Sequence, residues 1–317
     1  VFIASAIYSA LVALFAACSI FYQSFWGFTI SVACLGAALA VLQQYRFAAM
    51  ESVGADKVAQ AASFVILGGL IAAVLGPELA TLGKGFFDRD YVGSFCLLAL
   101  TSLVGALFLS FYQAKPMAVQ HAVTESRSLS GLFRNKLFWV AIMSSTIGYA
   151  VMSYIMTATP VSMHVMIGHD LEDTKWVIQS HILAMFLPSL FSGYLANKIG
   201  IKLLMFIGLV FYGVCIALTL SGSSVLHFWG GLVLLGLGWN FLFVSGTLLL
   251  TTTYQEKERF KAQGFHDFFV FGSQACASLS SGVIIYSLGW DMLVLLAIPF
   301  VILQCLVLLF GFKSSQA

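Results

Sequence analysis

Gly193-Tyr194-Leu195-Ala196-Asn197-Lys198-Ile199-Gly200-Ile201-Lys202 separates two apolar runs, 175–196 and 202–221. The glycines permit a tight turn, and the two lysines mark where the chain meets water. Each flanking run is close to the roughly 20 residues that a helix needs to cross a hydrocarbon core of about 30 Å. A turn this short between runs this long reads as a helical hairpin embedded in a membrane.

The same reading extends along the chain. Of its 317 residues, 60% are apolar and 9% are charged, and the mean hydropathy is +0.97. A soluble domain carries about 25% charged residues, so lipid must wet most of this surface. Ten segments qualify as spans: 1–22, 25–45, 57–79, 90–113, 137–165, 175–196, 202–221, 225–252, 262–287 and 289–312. The runs are continuous, which excludes the alternating short segments of a lipid-facing barrel. The net charge of +2 is too small to indicate a nucleic-acid partner. All six cysteines fall inside apolar runs without metal spacing and read as small hydrophobes; no cofactor and no metal are expected.

Loop charge sets the orientation. Arg46, Lys57, Lys115, Arg127, Arg134, Lys136, Lys198, Lys202, Lys257, Arg259, Lys261 and Lys313 fall on one side; Lys84, Arg89 and Lys175 fall on the other. Basic residues concentrate on the cytoplasmic side, which places both termini there. Trp26, Trp176, Trp229 and Trp290 start spans on the outer side and Trp139 on the inner side, as an aromatic belt requires. Trp239 alone lies in the middle of a span.

An internal repeat organises the spans. Shifted by 203 residues, Phe25-Trp26-Gly27 falls on Phe228-Trp229-Gly230, Ala59-Gln60 on Ala262-Gln263, and Gly69 on Gly272. A shift of 204 puts Phe2-Ile3 on Phe206-Ile207 and Tyr8 on Tyr212. Segments one to four then correspond to segments seven to ten. Segments five and six have no partner in front, so two further helices, roughly 70 residues with their loops, are expected before Val1. The expected organisation is a four-helix N-terminal half-bundle over 1–113, a hydrophilic cytoplasmic linker over 114–136, and a six-helix C-terminal half-bundle over 137–317.

The stretch 193–202 resembles the loop pattern G-x-L-x-D-[RK]-x-G-[RK]-[RK] of the major facilitator superfamily, carried here by Gly193, Asn197, Lys198, Gly200 and Lys202. The sequence departs from it at Asn197, where the family has an acid, and at Ile201, so a neutral hydrogen bond replaces any charge lock. The resemblance implies an all-α integral membrane bundle with two pseudo-symmetric halves. The ten helices present would be family helices three to twelve. Gly68-Gly69 with Gly76-Pro77 is similar to the glycine–proline motif of proton-coupled antiporters, and reads equally well as packing by small residues. Thr157-Ala158-Thr159-Pro160, His181-Ile182-Leu183-Ala184-Met185 and Gly238-Trp239-Asn240-Phe241 look like a bacterial subgroup associated with riboflavin or siderophore-like metabolites.

In such a bundle, solutes bind near the bilayer midplane between the halves, and polar side chains at that depth are costly to bury without a role. Tyr149, Ser153, Thr157 and Pro160 recur at steps of three or four, one face of a helix, which is either a cavity wall or an interhelical hydrogen-bond seam. Gln179, His181 and Met185 precede the helix-bending Pro188. His181 is either a satisfied histidine or a proton carrier, since its titration range suits a proton gradient. Trp239 and Asn240 suit a flat polar ligand; the glycines around them serve equally as packing contacts. His266 and Asp267, near the cytoplasmic end of their span, are candidates for proton coupling or for a salt bridge to Arg259 or Lys261. Arg46 and Glu51 are gate or loop anchors.

The chain carries no GxxxxGK[ST] loop, serine elbow or HExxH motif. It is therefore expected to act not as an enzyme but as a secondary transporter in a bacterial inner membrane. The expected action is alternating access for a small organic solute by a monomer, with protons as the candidate coupling ion. The alternatives are drug or siderophore efflux by proton antiport, and a non-transporting membrane receptor on the same bundle.

Overall fold

The computed structural model describes residues 2–42, 45, 48–49, 58–112, 130–255 and 258–313. Arg46 and Glu51 lie outside the described residues, as does most of the expected linker. Among the described residues there is no strand. The helices are α1 (Phe2–Phe21), α2 (Phe25–Leu42), α3 (Val58–Gly83), α4 (Val92–Ser110), the single turn α5 (Ser130–Phe133), α6 (Lys136–Pro160), α7 (Leu171–Phe186), α8 (Ser189–Ile199), α9 (Ile201–Ser221), α10 (Val225–Thr251) and α11 (Arg259–Lys313). Beyond Pro160, α6 continues as a wider π-helical stretch, Val161–Ile167, that ends at Gly168 with φ 88°.

Each predicted apolar segment coincides with helix. Segment six is α7 plus α8, bent by 45° at Leu187 and Pro188. Segments nine and ten are the stretches of α11 on either side of Gly289, whose φ of 79° interrupts the helix. Local chemistry sets the ends. Asn135 caps α6 by accepting the Leu137 N–H at 3.0 Å, and Asp170 caps α7 by accepting the Leu171 N–H at 2.7 Å. Glu172 and Asp173 then sit in the first turn of α7, where the helix dipole favours negative charge. In the hairpin loop, Gly200 adopts φ 88° and lets α8 stop and α9 start with nothing between them.

Large apolar side chains cover the outside of these helices. Phe108 is 72% exposed, Leu279 76% and Phe310 69%, an arrangement stable only where the surrounding medium is itself apolar.

The chain divides into two compact units, Val1–Gln120 and His121–Ala317. In the first, α1 packs on α2 and α4, and α3 packs on α4. Ala10 and Ala13 of α1 meet Ala99 of α4; side chains this small let helix backbones approach closely, the main route to helix association in lipid. In the second, α6 sits between α10 and α11, and α10 also packs on α7 and α9. Gly246 of α10 faces Ser145 and the Ala141 carbonyl of α6, so close that a Cβ there would lie 2.9 Å from that oxygen.

Candidate functional site: an aromatic cluster beside buried polar atoms

The centre of the second unit carries a cluster built from four helices. Trp239 and Phe243 lie one turn apart on α10, where residues i and i+4 share a face, and their rings stack at 5.2 Å and 10°. Tyr149 of α6 stands edge-on to both, 5.2 Å from Trp239 and 5.3 Å from Phe243. Phe271 of α11 closes the Tyr149 side at 5.9 Å, and Phe186 of α7 approaches Trp239 at 6.1 Å. Edge-to-face and offset-stacked pairs of this kind contribute about 0.5–1.5 kcal/mol each beyond area burial.

His266 of α11 extends the row, its ring 6.3 Å from that of Phe243. Its Nδ1 lies 3.0 Å from Asp267 Oδ1. The imidazole is 3% exposed, whereas more than half of the Asp267 side chain is exposed. His266 Nε2 and Trp239 Nε1 are both buried without a partner among the described residues. An unmade hydrogen bond at a buried atom costs about 1–3 kcal/mol.

His181 is also fully buried, but at the α7–α10 contact, where its Nδ1 donates to the Leu232 carbonyl at 2.7 Å. Its Nε2 has no partner among the described residues.

The two adjacent candidates on α10 separate. Trp239 points into the aromatic cluster, while Asn240, about 100° further round the helix, is fully buried against the α7–α8 bend. The Asn240 amide donates to the Met185 carbonyl at 2.7 Å and to Ser189 Oγ at 2.5 Å, and accepts from Ser192 Oγ at 2.6 Å. Asn240 therefore holds a bend, and Met185 takes part through its backbone.

The polar stripe on α6 divides likewise. Tyr149 joins the aromatic cluster, Ser153 is buried, and Thr157 Oγ1 meets Ser278 Oγ of α11 at 3.1 Å. With Ser273 Oγ donating to the Thr146 carbonyl at 3.4 Å, the α6–α11 contact is a hydrogen-bond seam. Gln179 is half-buried on α7. In the hairpin loop, Lys198 lies 5.8 Å from the Tyr194 ring centroid and Lys202 5.7 Å from that of Phe312. Asn197 is exposed, and among the described residues its side chain has no hydrogen-bond partner. Gly193 has open space where a Cβ would stand, so among the described residues no other helix packs closely on it.

A separate cavity of about 450 Å³ lies between α6 and both stretches of α11, with Tyr154, Ser273, Ser280 and Phe300 in its wall. None of the residues selected from the sequence lines it.

Phe243, Phe271 and Phe186 were not selected from the sequence. The i, i+4 spacing of Trp239 and Phe243 was the one available signal; on helices apolar on every face, a phenylalanine at a site reads like one facing lipid.

Comparison with known proteins agrees with this architecture. The family model described as Major Facilitator Superfamily matches residues 165–316. The riboflavin transporter RfnT of Brucella anthropi is 36% identical over 98% of this chain and 79% of its own length. YddS of Bacillus subtilis, an uncharacterized MFS-type transporter, is 30% identical over 86% of this chain and 68% of its own. Among solved structures, a bacterial homolog of the human lysosomal transporter Spinster, inward-facing and unoccupied, superposes with a TM-score of 0.73 at 11% identity, over 98% of this chain and 82% of that one. The chain belongs to the major facilitator superfamily, a family of multi-pass membrane transporters of small solutes.

Proposed function

We propose that this transporter carries a flat heteroaromatic solute of the riboflavin type, and that the Tyr149–Trp239–Phe243–Phe271 cluster is the surface on which the solute's ring system stacks. The single observation that carries the reading is the cluster itself, five aromatic rings from four helices around the one mid-span tryptophan. The kinship with a riboflavin transporter supports it. Aromatic faces suit a fused-ring solute because offset stacking needs no matched charge.

In this reading, a half-bundle over 1–113 and another over 137–317, joined by a cytoplasmic linker, expose the solute to one side of the membrane at a time. Both termini lie in the cytoplasm, as the distribution of lysine and arginine favours. A proton gradient supplies the energy, with His266 and Asp267 as the titratable pair beside the aromatic rings.

The test is uptake of riboflavin by proteoliposomes carrying the protein, with and without an inward proton gradient. Saturable uptake above empty liposomes, faster with the gradient, is expected. Uptake indistinguishable from empty liposomes in both conditions overturns the solute assignment; uptake indifferent to the gradient overturns the coupling.

A further inference from the structure

We infer that His266 reads the hydrogen-bonding edge of the solute: its Nε2 accepts a proton-bearing ring nitrogen, so the transporter selects planar heterocycles with a cyclic imide or amide N–H. This rests on the heteroaromatic reading above and adds to it the part of the solute that is recognised and the residue that recognises it.

The argument starts from the other face of the imidazole. A carboxylate only accepts hydrogen bonds, so the 3.0 Å approach of Asp267 Oδ1 assigns the proton to His266 Nδ1. In the neutral ring, Nε2 is then a lone pair. The same contact fixes the ring's orientation, as a partner on one imidazole nitrogen does wherever the other must present itself to a ligand. Asp267 is a positioning residue in this arrangement.

Nε2 itself is buried and has no partner among the described residues. Its ring lies 6.3 Å from that of Phe243, which stacks on Trp239 at 5.2 Å. The Trp239 indole N–H is also buried, without a partner among the described residues. Aromatic faces beside an unused acceptor and an unused donor match a solute that is flat in the middle and polar at its edges. An acceptor left bare in a site made to bond an N–H rejects solutes lacking that N–H. An isoalloxazine ring has such an edge, because its N3–H stands between two carbonyl groups.

The experiment compares binding of riboflavin and 3-methylriboflavin, followed by quenching of flavin fluorescence on titration with the purified protein. The wild type is expected to prefer riboflavin by roughly tenfold, one neutral hydrogen bond. His266→Phe should lower that preference to less than about twofold while retaining affinity for 3-methylriboflavin, which also shows that the variant is folded. His266→Gln, which keeps a carbonyl acceptor, should restore part of the preference. Equal binding of the two flavins by the wild type overturns this inference alone, as does undiminished preference in His266→Phe. Failure of the wild type to bind either flavin overturns both this inference and the reading on which it rests.

Discussion

Ser192 Oγ donates to Asn240 Oδ1 at 2.6 Å, and that bond joins the short helix α8 to the middle of α10. It belongs to a set of three, with the Asn240 amide also donating to the Met185 carbonyl and to Ser189 Oγ. The set has a cause in the sequence. Pro188 has no N–H, and the 45° bend beside it disturbs the helical ladder. Inside a membrane a carbonyl released this way finds no water and must be met by another side chain.

Replacing Asn240 with leucine should therefore act through stability first. The substitution removes all three bonds and leaves the Met185 carbonyl without its side-chain partner. At about 0.6 kcal/mol for each hydrogen bond in a membrane bundle, the expected loss is about 2 kcal/mol, seen as a lower midpoint in thermal unfolding of the detergent-solubilised protein. An unchanged midpoint would show that the bend holds without Asn240.

The glycines of α10 lead to a second expectation. A Cβ on Gly246 would stand 2.9 Å from the Ala141 carbonyl and 3.1 Å from the Ser145 nitrogen. Both atoms are backbone and cannot rotate away. Gly246→Ala should cost about 1–3 kcal/mol, as overpacking does. Gly213→Ala on α9 meets open space and should leave the unfolding midpoint level or slightly higher, because alanine favours helix over glycine by about 1 kcal/mol. Equal responses at the two positions would contradict the α6–α10 packing described here.

Tyr212 offers a third. Its hydroxyl donates to the Gly148 carbonyl at 2.6 Å, joining α9 to α6 from a fully buried position. Tyr212→Phe keeps the ring and removes one bond. The expected cost is about 1 kcal/mol, with solute affinity unchanged because its ring is not one of those in the aromatic cluster. A loss of affinity without a loss of stability would assign Tyr212 to the site instead.

How far the sequence reaches is visible in these same residues. Run length alone locates every span, since lipid imposes the length of each helix whatever its packing. Pro188 announces its bend, and Gly289 falls where two spans were separated. The partners of Asn240 were not legible: they lie about 50 positions away on two other helices, and one of them is a backbone carbonyl that no residue type marks. Trp239 and Asn240 were read together because they are neighbours in the chain, yet adjacent helical residues point about 100° apart. Phe243 and Phe271 were hidden for a different reason. In a soluble helix, contrast between polar and apolar faces shows which side turns inward; here both sides are apolar and the contrast vanishes. The polar stripe of α6 was legible as a stripe, but its division between aromatic cluster and hydrogen-bond seam depends on what α11 places opposite each step.

The last expectation separates stacking from bulk at Trp239. The indole stacks on Phe243 and meets Tyr149 edge-on, so phenylalanine in its place keeps a flat face and leucine does not. A stacking contact of about 0.5–1.5 kcal/mol corresponds to roughly two- to tenfold in affinity. Trp239→Leu should raise the KM for riboflavin by about that factor, with the maximal rate little altered. Trp239→Phe should stay closer to the wild type, short only of the indole N–H. If leucine and phenylalanine behave alike, the tryptophan is filling space rather than presenting a face. The ligand-binding assignment of the whole cluster would then fail with it, since Tyr149 and Phe243 are oriented by the same ring.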